Sequence, residues 1–365
     1  MDIEKFDTLK EYADDFINFL SREKRLIPES EQEKYFENNV YSYFSLIRHE
    51  IVQIVNETIS ERDVVTAEEI NEIASEIIED HHDRWNKAES PSTIPENHAK
   101  DLIDRYENAI NKAKKDVFEN LSLTKHLSRR LTEIAANLFV KFLEDVDPPN
   151  MSGVVIAGFG EKDIFPSIQS FLIEVIVNNH LKWKKDKYFE IVFENDATIV
   201  PFAQSEMVAT FMEGVEPGYE VAIEEYLSQI FEKYPEDVID SIEKLDANEK
   251  RKLKEKLKEV GSELFDRHKE ELRNYRRINY VNPVIHVVSA LPKDELAAMA
   301  ESLVNLTSFK RKMSMDVETV AGPIDVAVIS KGDGFIWINR KHYFERELNP
   351  QFFANYYREV ENGEE

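Results

Sequence analysis

Apolar side chains recur every three to four positions through most of the first 145 residues, a spacing that predicts helices. Leu9, Tyr12, Ala13, Phe16, Ile17 and Leu20 make the first stripe, and Thr8 with Glu11 spells a capping box ahead of it. Phe44, Ile47, Ile51 and Val55 make a second stripe. Thr66 with Glu69 caps a third, which carries Ile70, Ile73, Ile77 and Ile78. Leu102, Tyr106, Ile110, Ala113 and Val117 follow, then Leu127, Leu131, Ile134, Leu138 and Phe142. Ser90 to Pro95 holds two prolines and reads as a loop.

The period changes after Asp147-Pro148-Pro149. Val154 to Ala157 is a continuous apolar run closed by Gly158-Phe159-Gly160, the mark of a two-sided strand. Ile168 to Val177 reads as a second strand. Phe189, Ile191 and Phe193 alternate with Glu190 and Glu194 as a third, and the short spacings favour antiparallel pairing. Two helices are expected next, from Gln204 to Glu213 ending at Gly214, and from Tyr219 to Lys233. Residues 236–277 are highly charged, with a narrow stripe of Leu253, Leu257, Val260, Leu264 and His268, and predict a protruding arm. Asn282-Pro283 reads as a cap with proline in first position, and Pro292 opens a helix with Leu296, Ala300, Leu303 and Val304 inward. Ile324, Val326 and Val328 alternate ahead of Lys331-Gly-Asp-Gly334, and Phe335 to Ile338 returns as a hairpin strand.

The expected organisation is a first helix at 1–29, an all-helical insertion at 30–147, a core at 148–235 and 281–345, a charged arm at 236–280, and an aromatic, then acidic tail at 346–365. Antiparallel strands with helices on their faces give the α+β class.

Composition narrows the chemistry. The net charge of −26 opposes binding to nucleic acids or anionic membranes, and no apolar run approaches the roughly 20 residues that span a bilayer. With no basic-then-apolar leader at the first residues, a cytoplasmic location is the expectation. Zero cysteines exclude disulfides, thiolate metal sites and a thiol nucleophile. Gly158-Phe-Gly160 lacks the third glycine of a dinucleotide fingerprint, and there is neither a P-loop nor a Gly-x-Ser-x-Gly elbow. Glu79 and His82 have the Glu-x-x-His spacing of di-iron helices, but His98 and His126 supply no matching second motif, so a solvated helix end is expected. Lys182-Trp-Lys-Lys-Asp-Lys187 reads as a solvated turn, and Arg273, Arg276 and Arg277 as cations at a helix C-terminus. No cofactor and no metal ligand is expected.

Three stretches in order carry a family resemblance: Gly153 to Glu161 with Pro166-Ser167-Ile168, Pro201 to Val208, and Gly322 to Ile329 with the Lys-Gly-Asp-Gly turn and Phe335 to Ile338. Together they resemble the second half of a proteasome β-type subunit, of the N-terminal-nucleophile (Ntn) hydrolase superfamily. The resemblance implies a four-layer αββα sandwich, assembly into rings or with a partner subunit that supplies strands, and peptidase or amidohydrolase chemistry. In that family a Thr, Ser or Cys at the mature N-terminus is the nucleophile and its α-amine the base. The family's first strands have no counterpart before Thr8, Met1-Asp2 offers no nucleophile, and Phe202-Ala203-Gln204 and Val320-Ala321 replace its supporting serines. Asp316 is the one weak match, and no catalytic residue is assigned. The expectation is a truncated or late-starting version of a self-assembling hydrolase, inactive alone, with a non-catalytic scaffold as the alternative.

Overall fold

Thr8 caps the first helix as its sequence requires: its hydroxyl accepts from the Glu11 N–H, and the Glu11 carboxylate accepts from the Thr8 N–H. That helix, α1 (Leu9–Arg22), opens a computed structural model that describes residues 5–23, 25–62, 64–143, 151–194, 197–203, 205–313, 324–342 and 344–361. Asp147-Pro148-Pro149, Asp316 and Val320-Ala321 lie outside the described residues. The chain divides into two units, one through Glu190 and one from Ile191.

Among the described residues the first unit holds α1, four more helices and a sheet. These helices are α2 (Glu29–Arg62), α3 (Ala67–Lys87), α4 (His98–Val117) and α5 (Lys125–Asn137). Thr66 makes the second capping box, and the Thr124 hydroxyl accepts from the Leu127 N–H. The apolar stripes converge on one core of Phe36, Phe44, Ile47, Ile78, Leu102, Ile110, Leu131, Ile134 and Phe139. Ile94 of the proline-rich loop is buried against this core, and Glu89 pairs with Phe142 across it.

Strands β1 (Ser152–Gly158), β2 (Ser167–Val177) and β3 (His180–Glu190) form an antiparallel meander in the order β1-β2-β3. β2 sits between two apolar layers. Phe171 and Ile176 pack on Ala13 and Ile17 of α1, whereas Val175 and Val177 join the helical core. Gly160 lies against the N-terminus of α1, where a Cβ would stand 2.3 Å from the Thr8 backbone. Around it the Glu161 and Lys162 N–H groups donate to the Phe6 and Asp7 carbonyls, and Asp163 accepts from the Leu9 and Gly160 N–H groups.

The third strand departs from the sequence expectation. It starts at His180, not near Phe189, and Lys182 to Lys187 lie inside it rather than in a turn. The turn is Asn178-Asn179, both at positive φ, a two-residue hairpin that fixes the register from Val177↔His180 to Ser167↔Glu190. β2 has no residues left to pair beyond Glu190, so Phe193 stands exposed in a turn.

The second unit holds α6 (Glu206–Glu213), α7 (Pro217–Asp240), α8 (Ala247–Arg276), α9 (Asn282–Ala290), α10 (Lys293–Met313), the hairpin β4 (Val326–Ser330) and β5 (Gly334–Asn339), and α11 (Pro350–Glu361). Gly214 ends α6 at φ +74. Helix α7 continues past Lys233 through Pro235 and pairs with α8. Lys254 and Lys258 of α8 bridge to Asp240 and Glu236, tying the segment beyond the proline to its partner. Asn282 is not a cap. A π-turn at Arg277–Val281 absorbs the extra residue, and the helical path runs on into Pro283. The molecule is α+β with small antiparallel sheets, and no helix among the described residues is long and apolar enough to cross a membrane.

Candidate functional site

Helix spacing places Glu79, His82 and Asp83 at the C-terminal half of α3, with one ligand-type atom of each within 4.8 Å of the others. Their charges are already answered from α5. Arg130 lies 3.1 Å from a Glu79 oxygen, and His82 Nε2 lies 2.8 Å from Glu133 and 3.1 Å from an Arg130 nitrogen. His126 Nε2 is 2.6 Å from Glu79. Burial pushes the Glu133 carboxyl up, but Arg129 and His82 outweigh it and hold the group below its ordinary range. The Arg130 guanidinium thus pairs with Glu79 and lies beside His82. The cluster is an ion-pair network joining α3 to α5, and His126 enters it without the spacing that a metal motif demands.

Three further polar groups are buried against this helical layer. His81 lies between Glu50 and Tyr43, at 2.9 Å from each, and the Tyr43 hydroxyl also accepts from the Trp85 indole at 2.7 Å. Lys114 of α4 points its ammonium at Ser128 Oγ (3.1 Å), Thr132 Oγ1 (3.0 Å) and the Ser128 carbonyl (3.4 Å). Burial holds this lysine below its usual value. A lysine beside a serine hydroxyl is the outline of a nucleophile–base pair. Here, however, three N–H donors meet three oxygens, which is how a charged ammonium is satisfied in a helix–helix contact. Lys182 of β3 is almost wholly buried, 2.6 Å from Glu174 and 2.7 Å from the Leu138 carbonyl, with its ammonium 4.4 Å from the centre of the Phe142 ring. Burial lowers this lysine, and Glu174 offsets only part of the effect. The basic segment thus supplies a core ion pair.

The second unit has a cavity of about 440 Å³. Val200, Pro201 and Phe202 form one wall, and Val288, Leu296 and Leu303 line it from α9 and α10. Among its described lining residues, Thr198 and Thr307 carry hydroxyls, and Thr307 donates to the Leu303 carbonyl. The sequence showed the inward stripe of α10 but not the cavity, because the facing segment 198–203 has no period. Beside α7 and α8, Arg276 bridges Glu220 of α7 and Glu213 of α6, so the predicted basic cluster is in part an ion pair to two other helices.

The β4–β5 hairpin is an open apolar feature. β4 and β5 pair with Val328 opposite Ile336 and Ile329 opposite Phe335. Val326, 7% exposed, marks the covered face, and α10 packs on β4. The other face presents Ala327, Ile329, Phe335 and Trp337, with the last three 40–55% exposed. Lys293 and Ser330 hold Asp333 in the turn, where the lysine keeps the carboxyl below its ordinary range, and Gly334 supplies the positive φ.

Compared with protein-family models, curated proteins and solved structures, the chain matches none of them.

Proposed function

We propose that this chain is an assembling protein of the proteasome-β-like, Ntn-hydrolase type, non-catalytic on its own, whose hairpin sheet is completed by further copies of the chain. The open face of the β4–β5 hairpin carries this reading. A two-stranded hairpin is marginal in water, and an exposed apolar strand edge pairs with other chains. Helix α10, then the hairpin, then an open apolar face is the layer order of half an αββα sandwich. The first unit repeats the helix-on-sheet order with α1 on the β1–β3 meander. The order meander, helices, arm, helix, hairpin also follows the segments that carry the family resemblance. Hydrolysis in that family needs an N-terminal nucleophile with a free α-amine, which none of those segments provides. A longer form bearing such a residue would be a self-assembling peptidase.

The absence of cysteine gives a direct test. An Ala327→Cys variant on the open face of the hairpin is expected to crosslink into a covalent dimer under mild oxidation, whereas an Asn56→Cys variant on α2 forms no covalent dimer. Equal crosslinking of the two, or none at Ala327→Cys, contradicts assembly through the hairpin. Wild-type protein freed of contaminating proteases is expected to leave fluorogenic peptide amides intact, and turnover that persists through purification contradicts the non-catalytic assignment.

A further inference from the structure

His98 is the first residue of α4 and is 1% exposed. Its ring meets the ring of His180, the first residue of β3, edge to face with centroids 4.4 Å apart. His98 Nδ1 is buried without a hydrogen-bond partner. Two imidazoles in contact at the positive end of a helix accommodate no proton cheaply, because each cation would face the other and the uncapped helix N–H groups. The surrounding charges do not answer it. Asp101, one turn along α4, acts on His98 against that cost. Glu29 of α2 is engaged by Arg105 of α4, which also holds Asn178, while Gln32 of α2 accepts from the Asn179 N–H. On β3, Lys182 is committed to Glu174 and the Leu138 carbonyl.

We propose that the His98–His180 contact is a pH-sensitive latch that holds the first turn of α4 against the β2–β3 turn while the buried His98 ring is neutral and releases it when that ring takes a proton. His180 is partly exposed and gives solvent protons access to the pair. Burial, followed by the facing His180, lowers His98 from 6.5 to about 4. A lowered histidine stabilises the closed form fully above its ordinary value and loses that contribution as pH falls towards the folded value. The open-to-closed ratio therefore rises about tenfold per pH unit between roughly 6.5 and 4.

The test is amide hydrogen exchange on the full chain, corrected for the intrinsic pH dependence. Between pH 6.5 and 5 the peptides covering 97–102 and 178–182 are expected to lose at least about tenfold in protection, while the α2 core around Phe44 does not. His98→Phe is expected to abolish that pH dependence. His180→Phe, which keeps an aromatic edge but removes the facing imidazole, is expected to reduce it. Protection independent of pH in the wild type overturns the latch. So does a loss in His98→Phe equal to the wild type or, should that variant fail to fold, an undiminished loss in His180→Phe.

Discussion

At the scale of single residues, the buried charges define what the fold depends on. Lys182 and Glu174 lie together inside the first unit, and removing one partner leaves the other charged and unpaired. Lys182→Met is expected to lower the unfolding free energy by about 3–5 kcal/mol, and pairing it with Glu174→Leu to recover most of that loss. Urea titrations of the two variants check both statements, and equal loss in both would show that the pair itself is not the cause. Gly160 is a backbone-contact position. Its Cβ would collide with the Asp7 carbonyl oxygen and the Thr8 backbone, so Gly160→Ala is expected to cost about 3 kcal/mol, the upper part of the overpacking range. Calorimetry of that variant, with Gly153→Ala as the control at a glycine with open space, measures the difference.

At the scale of elements, the helices were legible because their signals are local. Thr8 with Glu11 and Thr66 with Glu69 form the capping boxes their spacing spells, and the stripes of α2 to α5 all reach one core. Thr66→Ala is expected to cost about 1 kcal/mol, read as a shift in urea midpoint with unchanged slope. The third strand was misplaced because charge hid it. Lys182, Lys184 and Lys185 look solvent-bound in sequence, yet Leu181 and Lys182 are buried and the register depends on Asn178-Asn179, whose tolerance of positive φ was the available signal. Arg277–Val281 defeated the cap expectation for the reverse reason: Asn282-Pro283 fits a helix start, but Pro283 is equally at home just after a π-turn that has already disturbed the hydrogen-bond ladder. Of the candidate sites, Glu79 and His82 were visible by spacing, whereas their partners Arg130 and Glu133 come from a helix some fifty residues away. Tertiary packing alone brings His98 to His180, and no sequence pattern announces it.

At the scale of the whole molecule, two features set expectations. The net charge of −26 spreads self-repulsion over the surface, so added salt is expected to raise the thermal midpoint through screening. The hairpin leaves Ile329, Phe335 and Trp337 exposed on one face of a two-stranded sheet. An apolar face of that kind gains stability only when another surface covers it. The most direct measurement is light scattering coupled to size exclusion across a concentration series, comparing the wild type with Trp337→Lys. The account predicts a wild-type mass that is a multiple of 42.6 kDa and falls to the single-chain value in the variant. A wild type that stays at the single-chain mass up to its solubility limit, or an oligomer that the substitution leaves intact, would contradict it.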